Sequence, residues 1–233
     1  KSIGINSINF LSAYKYISFI FTSLCIVYLI QSFNIIDGLN GLSLFTGIIS
    51  FASVSAITFQ LNEFDDFFLP CFFISILLGV FFYNFPFGKI FIGDSGAYVV
   101  GLLVSLFVLF LVKNNTNLSP FVIVQILIYP SYELLRSFFR RLVAGRSVFK
   151  PDTQHLHSVL YELNRAKLSC NLKKINAISS SQIIFLQILN FIYLINFYYD
   201  AKIIIVGIIS FIFIYEIIYY NAKSKLRYFH EKI

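Results

Sequence analysis

Charged residues are scarce in this sequence: Asp, Glu, Lys and Arg together make up 12% of it, against 58% hydrophobic residues. A soluble helical protein needs a polar face on its surface helices, and this composition leaves too little polar sequence to supply one. Methionine is absent altogether, so the chain carries no initiator. Its opening, Lys1-Ser2-Ile3-Gly4, does not resemble a signal peptide with a basic end, an apolar centre and a small-residue cleavage site. We expect the start of a longer protein to precede Lys1, with N-terminal processing as the alternative. Cysteine is limited to Cys25, Cys71 and Cys170. These show neither pairing nor metal-ligand spacing, which argues against a disulfide framework and leaves free thiols. Tryptophan is missing too, while 29 Phe and 15 Tyr supply the aromatic surface; tyrosines at span ends suit a membrane interface.

What is present is a succession of apolar windows, each approaching the roughly 20 residues that a helix needs to cross a bilayer. They fall at Tyr16–Phe33, Leu42–Leu61, Phe67–Tyr83, Ala97–Val112, Phe121–Leu135 (with Pro130 inside it), Ser181–Tyr199 and Ile203–Tyr220. Mean hydropathy is +0.80. The expected fold is all-α: a polytopic integral membrane helical bundle with about seven transmembrane helices, forming one membrane-embedded domain over residues 1–233.

The net charge of +7 is distributed against nucleic acid as a partner and in favour of a membrane. Arg136, Arg140, Arg141, Arg146, Lys150, Arg165, Lys167, Lys173 and Lys174 cluster between the fifth and sixth windows, and Lys223, Lys225, Arg227 and Lys232 in the tail. The other side holds Glu63, Asp65 and Asp66, then the thinly charged 113–119 and 200–202, with Lys1 and Lys15 diluting the contrast. An excess of Lys and Arg marks the cytoplasmic side. Residues 136–176 are therefore expected as a cytoplasmic basic loop, with the C-terminus on the same side, and a basic inner face favours anionic lipid headgroups and phosphorylated ligands. Alternation then places the segments around Asp37 and Asp94 on that side as well.

Three short polar runs interrupt the apolar sequence, all on this expected face. In Asn34-Ile-Ile-Asp37-Gly38-Leu-Asn40-Gly41, Asn34 precedes Asp37 by about one turn, and the glycines permit a turn or a close ligand approach. A helix-ending Asp-Gly turn is the plainer reading, but an ionisable group at membrane depth is costly and points to function. In Phe91-Ile-Gly93-Asp94-Ser95-Gly96, Asp94 is placed to cap the following helix. The same helix start offers N–H groups to an anion, and a carboxylate beside a phosphate suits Mg²⁺. Asn84 and Lys89 add an amide and a cation just upstream, and Phe91 an aromatic face. In Asp152-Thr-Gln-His155-Leu-His157, two of the three histidines stand two positions apart. They suit acid–base chemistry or phosphate better than zinc, which needs further ligands; two solvated loop histidines are the plainer alternative. Arg140, Arg141 and Arg146 present planar forks that fit phosphate, although the inner-face charge bias accounts for them as well.

Taken together, Asn34-x-x-Asp37-Gly-x-x-Gly41, Tyr83-Asn84-x-Pro86 leading into Phe91-x-Gly-Asp94-x-Gly96, and Asp152-x-x-His155-x-His157-x-x-Leu160 resemble the polyprenyl-phosphate N-acetylhexosamine-1-phosphate transferases, glycosyltransferase family 4. The motifs occur in the family's order across essentially the whole chain, expected as the C-terminal two-thirds of the full family domain. The resemblance implies transfer of a sugar 1-phosphate from a UDP-N-acetylhexosamine to undecaprenyl phosphate, with release of UMP. That reaction initiates cell-wall or surface polysaccharide synthesis, O-antigen included, at the bacterial inner membrane. It also implies Mg²⁺, with Mn²⁺ as the alternative metal, held by Asp94 against the diphosphate. Asp37 would assist catalysis or position the metal. Asn34, Asn40 and Asn84 would contact the nucleotide sugar, Phe91 would lie by the uracil, and His155 and His157 would engage the phosphates or the sugar. A homodimer is one assembly the family reading allows.

Three departures qualify this resemblance. The family carries a paired Asp-Asp motif on an earlier cytoplasmic loop, whereas Asp65-Asp66 falls on the expected outer face. Asn40 stands where a second Asp is common, and Ser158 ends the histidine run where a further His is common. A non-catalytic relative that binds polyprenyl phosphate, or a multi-pass transporter, are the rival readings. A transporter site would sit near the midplane, whereas only Glu133 and Glu216 interrupt the spans here, both near the inner ends and both expected to snorkel.

Overall fold

A helix satisfies its backbone N–H and C=O groups within itself, so uninterrupted apolar runs in a membrane are driven into that form. The computed structural model describes residues 15–147 and 152–231, and the regular structure among them is helical. In chain order the helices are α1 (Lys15–Ile36), α2 (Leu42–Gln60), α3 (Phe64–Asn84), α4 (Gly93–Asn114), α5 (Phe121–Ile126), α6 (Ile128–Val143), α7 (Leu156–Lys167), α8 (Leu172–Phe197) and α9 (Ala201–Glu231). Lys1, Lys150 and Lys232, which entered the charge asymmetry, lie outside the described residues.

Among the described residues six helices, α1 to α4, α8 and α9, are long and apolar enough to cross a membrane. The window Phe121–Leu135 is not one continuous helix but divides at Leu127 into α5 and α6. Pro130 has no N–H to offer the carbonyl of Ile126, so a continuous helix would lose a bond there. The segment 136–176 carries helix over much of its length: α6 runs on to Val143, α7 spans Leu156–Lys167 and α8 has begun by Leu172. Asn171 starts α8 by accepting the backbone N–H groups of Lys173 and Lys174 on its side chain.

The helix ends gather at two poles. At one, Asn114 donates to Asp66 at 3.0 Å, Asn115 donates to Glu63 at 2.8 Å, and Gln60 donates to the carbonyl of Ile195 at 3.2 Å. At the other lie the turn 37–41, the loop 85–92 and the turn 152–155. The pair α5–α6 leads from the first pole to the second and so stands where one crossing helix was expected. The pair Asp65-Asp66 is at the first pole, away from all three polar motifs.

The centre of the bundle is α2, with 72% of its apolar window buried against 11% for α3. Its sequence explains this placement. Small residues let neighbouring helices approach, and their hydroxyls must then be satisfied locally. Thr46, Ser50 and Thr58 donate to the carbonyls one turn back, Leu42, Thr46 and Val54, at 2.7–3.0 Å. At Gly47 a Cβ would stand 2.6 Å from Val100 and 3.0 Å from Leu77, so α3 and α4 close directly on the α2 backbone. Glu216 of α9 does not snorkel: Arg136 of α6 binds it through Nε and Nη2 at 2.6 and 3.1 Å, and Tyr132 donates to it at 2.7 Å.

Candidate active site

The first two motifs are joined by one buried amide. Helix α1 ends at Ile36, and the following turn closes with Gly41 in the left-handed region at φ 75°. The Gly41 N–H donates to Asn84 Oδ1, while Asn84 Nδ2 donates to the carbonyl of Ile90 at 2.5 Å. Asn84 thus ties the turn 37–41 to the loop 85–92 and spends both ends of its side chain on backbone. Asn40 lies in the same seam. A Cβ on Gly88 would stand 2.7 Å from Asn40 Nδ2, and the Asn40 N–H donates to Asn176 Oδ1 of α8 at 2.9 Å. Asn34 Nδ2 donates to the Tyr98 hydroxyl at 3.3 Å, about one turn beyond Asp94 on α4.

This lacing brings the two carboxylates together. Asp94 is exposed in the first turn of α4 and does not cap it; Ile92 holds the cap position without a side-chain bond. The capping role expected from sequence is therefore replaced by a carboxylate facing outward at a helix start, where negative charge is favoured. Asp37 is half-buried, and its burial together with the charge of Asp94 pushes its carboxyl up to about 7. Phe91, 69% exposed, and Lys89 project from the adjoining loop.

The histidines meet the first motif from the other side. A Cβ on Gly38 would stand 2.7 Å from Cδ2 of His157, so the imidazole rests on the backbone next to Asp37. His155 and His157 stack with centroids 5.4 Å apart and planes 2° from parallel. Burial lowers His157 to about 4, with the charge of His155 acting in the same sense and Glu133 and Asp152 opposing it. His155 Nδ1 lies 3.1 Å from Glu133 Oε2, and its Nε2 lies 3.8 Å from Asp152 Oδ2. Burial alone would raise Asp152. The hydroxyl of Ser137, the N–H of Gln154 and the charges of Arg140 and His155 outweigh it and hold the carboxyl below its ordinary value.

Beside this turn, Arg140, Arg141, Arg146, Asp152, Gln154 and Lys223 line a basic cavity of about 340 Å³. Gln154 Oε1 accepts from Arg140 at 2.8 Å and from Lys223 of α9 at 3.1 Å. Two residues of this pole escaped the sequence reading. Glu133, read as snorkelling, is buried at 1% exposure, and Lys223 was counted only as tail charge. The signal for Glu133 was there, since an ionisable residue inside an apolar window calls for a partner; Lys223 carried none.

Among the described residues no three His, Cys, Asp or Glu side chains are placed to hold a metal ion. The imidazoles are stacked and His155 is committed to Glu133, so they do not form a zinc cage. Asp37 and Asp94, close enough to perturb one another, fit the other arrangement, in which Mg²⁺ takes one or two carboxylates and completes its shell with substrate phosphates and water.

Fold and site together define a class: a polytopic all-helical membrane protein with carboxylates, amides and imidazoles gathered at one end of the bundle. Residues 1–112 match the family model described as Glycosyl transferase family 4. The decaprenyl-phosphate N-acetylglucosaminephosphotransferase of Mycobacterium leprae is 32% identical over 169 residues, covering 64% of this chain and 42% of that protein. The undecaprenyl-phosphate alpha-N-acetylglucosaminyl 1-phosphate transferase of Thermotoga maritima is 30% identical over 140 residues, 60% of this chain and 42% of that protein. Its counterpart in Escherichia coli K12 is 29% identical over 140 residues, 56% and 37% respectively. The chain spans about two-fifths of the length of these curated relatives. No solved structure matches it. Over residues 1–112 the chain is similar to glycosyltransferase family 4, the superfamily that its motifs resemble.

Proposed function

We propose that the protein transfers an N-acetylhexosamine 1-phosphate from a UDP-sugar to a polyprenyl phosphate, undecaprenyl phosphate in a bacterial inner membrane, at the cytoplasmic face, and so initiates a cell-wall or surface polysaccharide. The observation that carries this reading is the meeting of Asp37, Asp94 and the His155–His157 pair at one pole. A phosphate oxygen of the lipid attacks the phosphorus that bears the sugar. The bridging P–O bond to UMP breaks, UMP leaves with that electron pair, and a lipid diphosphate-linked sugar remains. Mg²⁺ held by Asp94 would neutralise charge on the diphosphate, the largest contribution expected in phosphoryl transfer. Asp37, held near neutrality by burial and by Asp94, is matched to take the remaining proton of the lipid monophosphate, whose second ionisation falls near pH ~6. His155 and the Arg140–Arg146 cavity offer donors to the phosphates, and Phe91 and Asn34 border the nucleotide side.

The test is UMP release by the full-length protein in nanodiscs with undecaprenyl phosphate, UDP-N-acetylhexosamines and Mg²⁺. We expect Asp94→Asn to lower turnover by about 100-fold or more and to raise the Mg²⁺ concentration needed for half-maximal rate. A rate unchanged by Asp94→Asn refutes the metal assignment. A second reading, a relative that binds polyprenyl phosphate without turnover, is favoured by the place of Asp65-Asp66 at the opposite pole; binding of the lipid without any UMP release would establish it.

A further inference from the structure

Glu133 sits in the first half of α6 and is buried at 1% exposure. A carboxylate in that setting must spend its oxygens on donors, and Glu133 spends both at the start of α7. Its Oε2 lies 3.1 Å from Nδ1 of His155, and its Oε1 accepts the backbone N–H of Leu156, the first residue of α7, at 3.1 Å. The charged and titratable groups around this pair come from several elements. Asp152 faces His155 Nε2, Arg140 of α6 is bound to Asp152, and His157 is stacked on the far face of the ring. Tyr129 of α6 and Tyr215 of α9 border Glu133 on its buried side.

We propose that Glu133 is a positioning residue that keeps Nδ1 of His155 protonated, so that Nε2 is the ring nitrogen whose proton is exchanged with a bound phosphate. An ionised carboxylate has only acceptors to offer, so the nitrogen that meets it must carry the hydrogen. The other nitrogen is then the acceptor of the neutral ring. Binding His155 and the next backbone N–H through one carboxylate fixes the ring plane and the start of α7 together. Nε2 is left beside Asp152 and the basic cavity, where an incoming phosphate would arrive. The consequence for turnover rests on the transferase reading, whereas the state of the ring does not.

The experiment is ¹⁵N NMR of the full-length protein, labelled at histidine and held in nanodiscs, with the His155 signals assigned by their loss in His155→Asn. We expect Nδ1 to remain protonated through the pH titration while Nε2 alone gains and loses its proton. In Glu133→Gln, whose amide can turn either its oxygen or its NH₂ to the ring, the proton should spread over both nitrogens. In the transfer assay the same variant should lose about 10- to 100-fold in kcat, by analogy with the carboxylates that orient metal-bound histidines, with KM for the lipid little changed. An unprotonated Nδ1 in the native protein, or a ring state unaltered by Glu133→Gln, overturns the proposal. The native spectrum decides even where the variant fails to fold. Native protein that shows the expected ring state but releases no UMP would refute the transferase reading and leave the role of Glu133 standing.

Discussion

At the residue scale, His157 gives the cleanest electrostatic prediction. Its folded pKa of about 4 lies below the ordinary 6.5 because the ring is buried between His155 and the Gly38 backbone. The unfolded chain therefore takes up a proton first as pH falls. The stability gained by keeping the ring neutral is full above about pH 6.5 and is lost on descent to about pH 4. At about 1.4 kcal/mol per pKa unit this amounts to at most about 3 kcal/mol. Asp152, held low, adds a loss in the same direction at more acid pH, while Asp37 runs the opposite way. Its raised pKa favours the folded state in acid, and that contribution fades as pH rises through about 7. The informative quantity is thus a difference. In detergent micelles, the midpoint of thermal unfolding should fall more steeply for the native protein than for His157→Gln between pH 7 and 4. Parallel curves would show that His157 is not the group responsible.

At the scale of elements, the site depends on two turns held in register by Asn84. Asn84→Ala removes the acceptor of the Gly41 N–H and the donor to the Ile90 carbonyl; the Gly41 N–H is buried, and stranding a buried group costs about 1–3 kcal/mol. We expect a clear drop in stability, and faster hydrogen exchange in peptides covering 37–41 and 85–92 than in those covering α8. Exchange that rises equally everywhere would mean that Asn84 supports the fold at large and not this seam. This linkage also explains what the sequence could disclose. The motifs stood out because Asp37, Asp94 and His155 interrupt apolar runs, and a span count placed them on one face. The inter-element partners did not stand out. His155 meets Glu133 across 22 residues and Gln154 meets Lys223 across 69, and no periodicity records which helix faces turn towards one another. Glu133 and Glu216 were read as snorkelling for that reason, although one binds His155 and the other Arg136. The break at Leu127 was half visible, since Pro130 marked the window, but the residue at which α5 stops depends on packing.

At the scale of the whole molecule, the two poles differ in charge as well as in chemistry. Glu63, Asp65 and Asp66 occupy one; Arg140, Arg141, Arg146 and Lys223 share the other with the carboxylate and histidine motifs. Because α5 and α6 together replace one crossing helix, the number of crossings keeps Asp37, Asp94 and His155 on the same side, and an unbroken helix was not required for it. Lys and Arg excess faces the cytoplasm, so we propose that side for the basic pole, where the UDP-sugar of the proposed reaction would meet a membrane-bound acceptor. The assignment can be checked by placing one cysteine at each pole after replacing Cys25, Cys71 and Cys170 by serine. Asp65 and Arg146 are both exposed and suit the purpose. A membrane-impermeant maleimide should label Asp65→Cys from outside intact spheroplasts, and label Arg146→Cys only in inverted vesicles. The reverse pattern would turn the bundle over and place the site on the outer face, where the donor proposed here has no access. Labelling of both positions from one side would instead mean that α5–α6 turns back without crossing, which would separate the histidine turn from Asp37 and Asp94 and contradict the packing of His157 on Gly38.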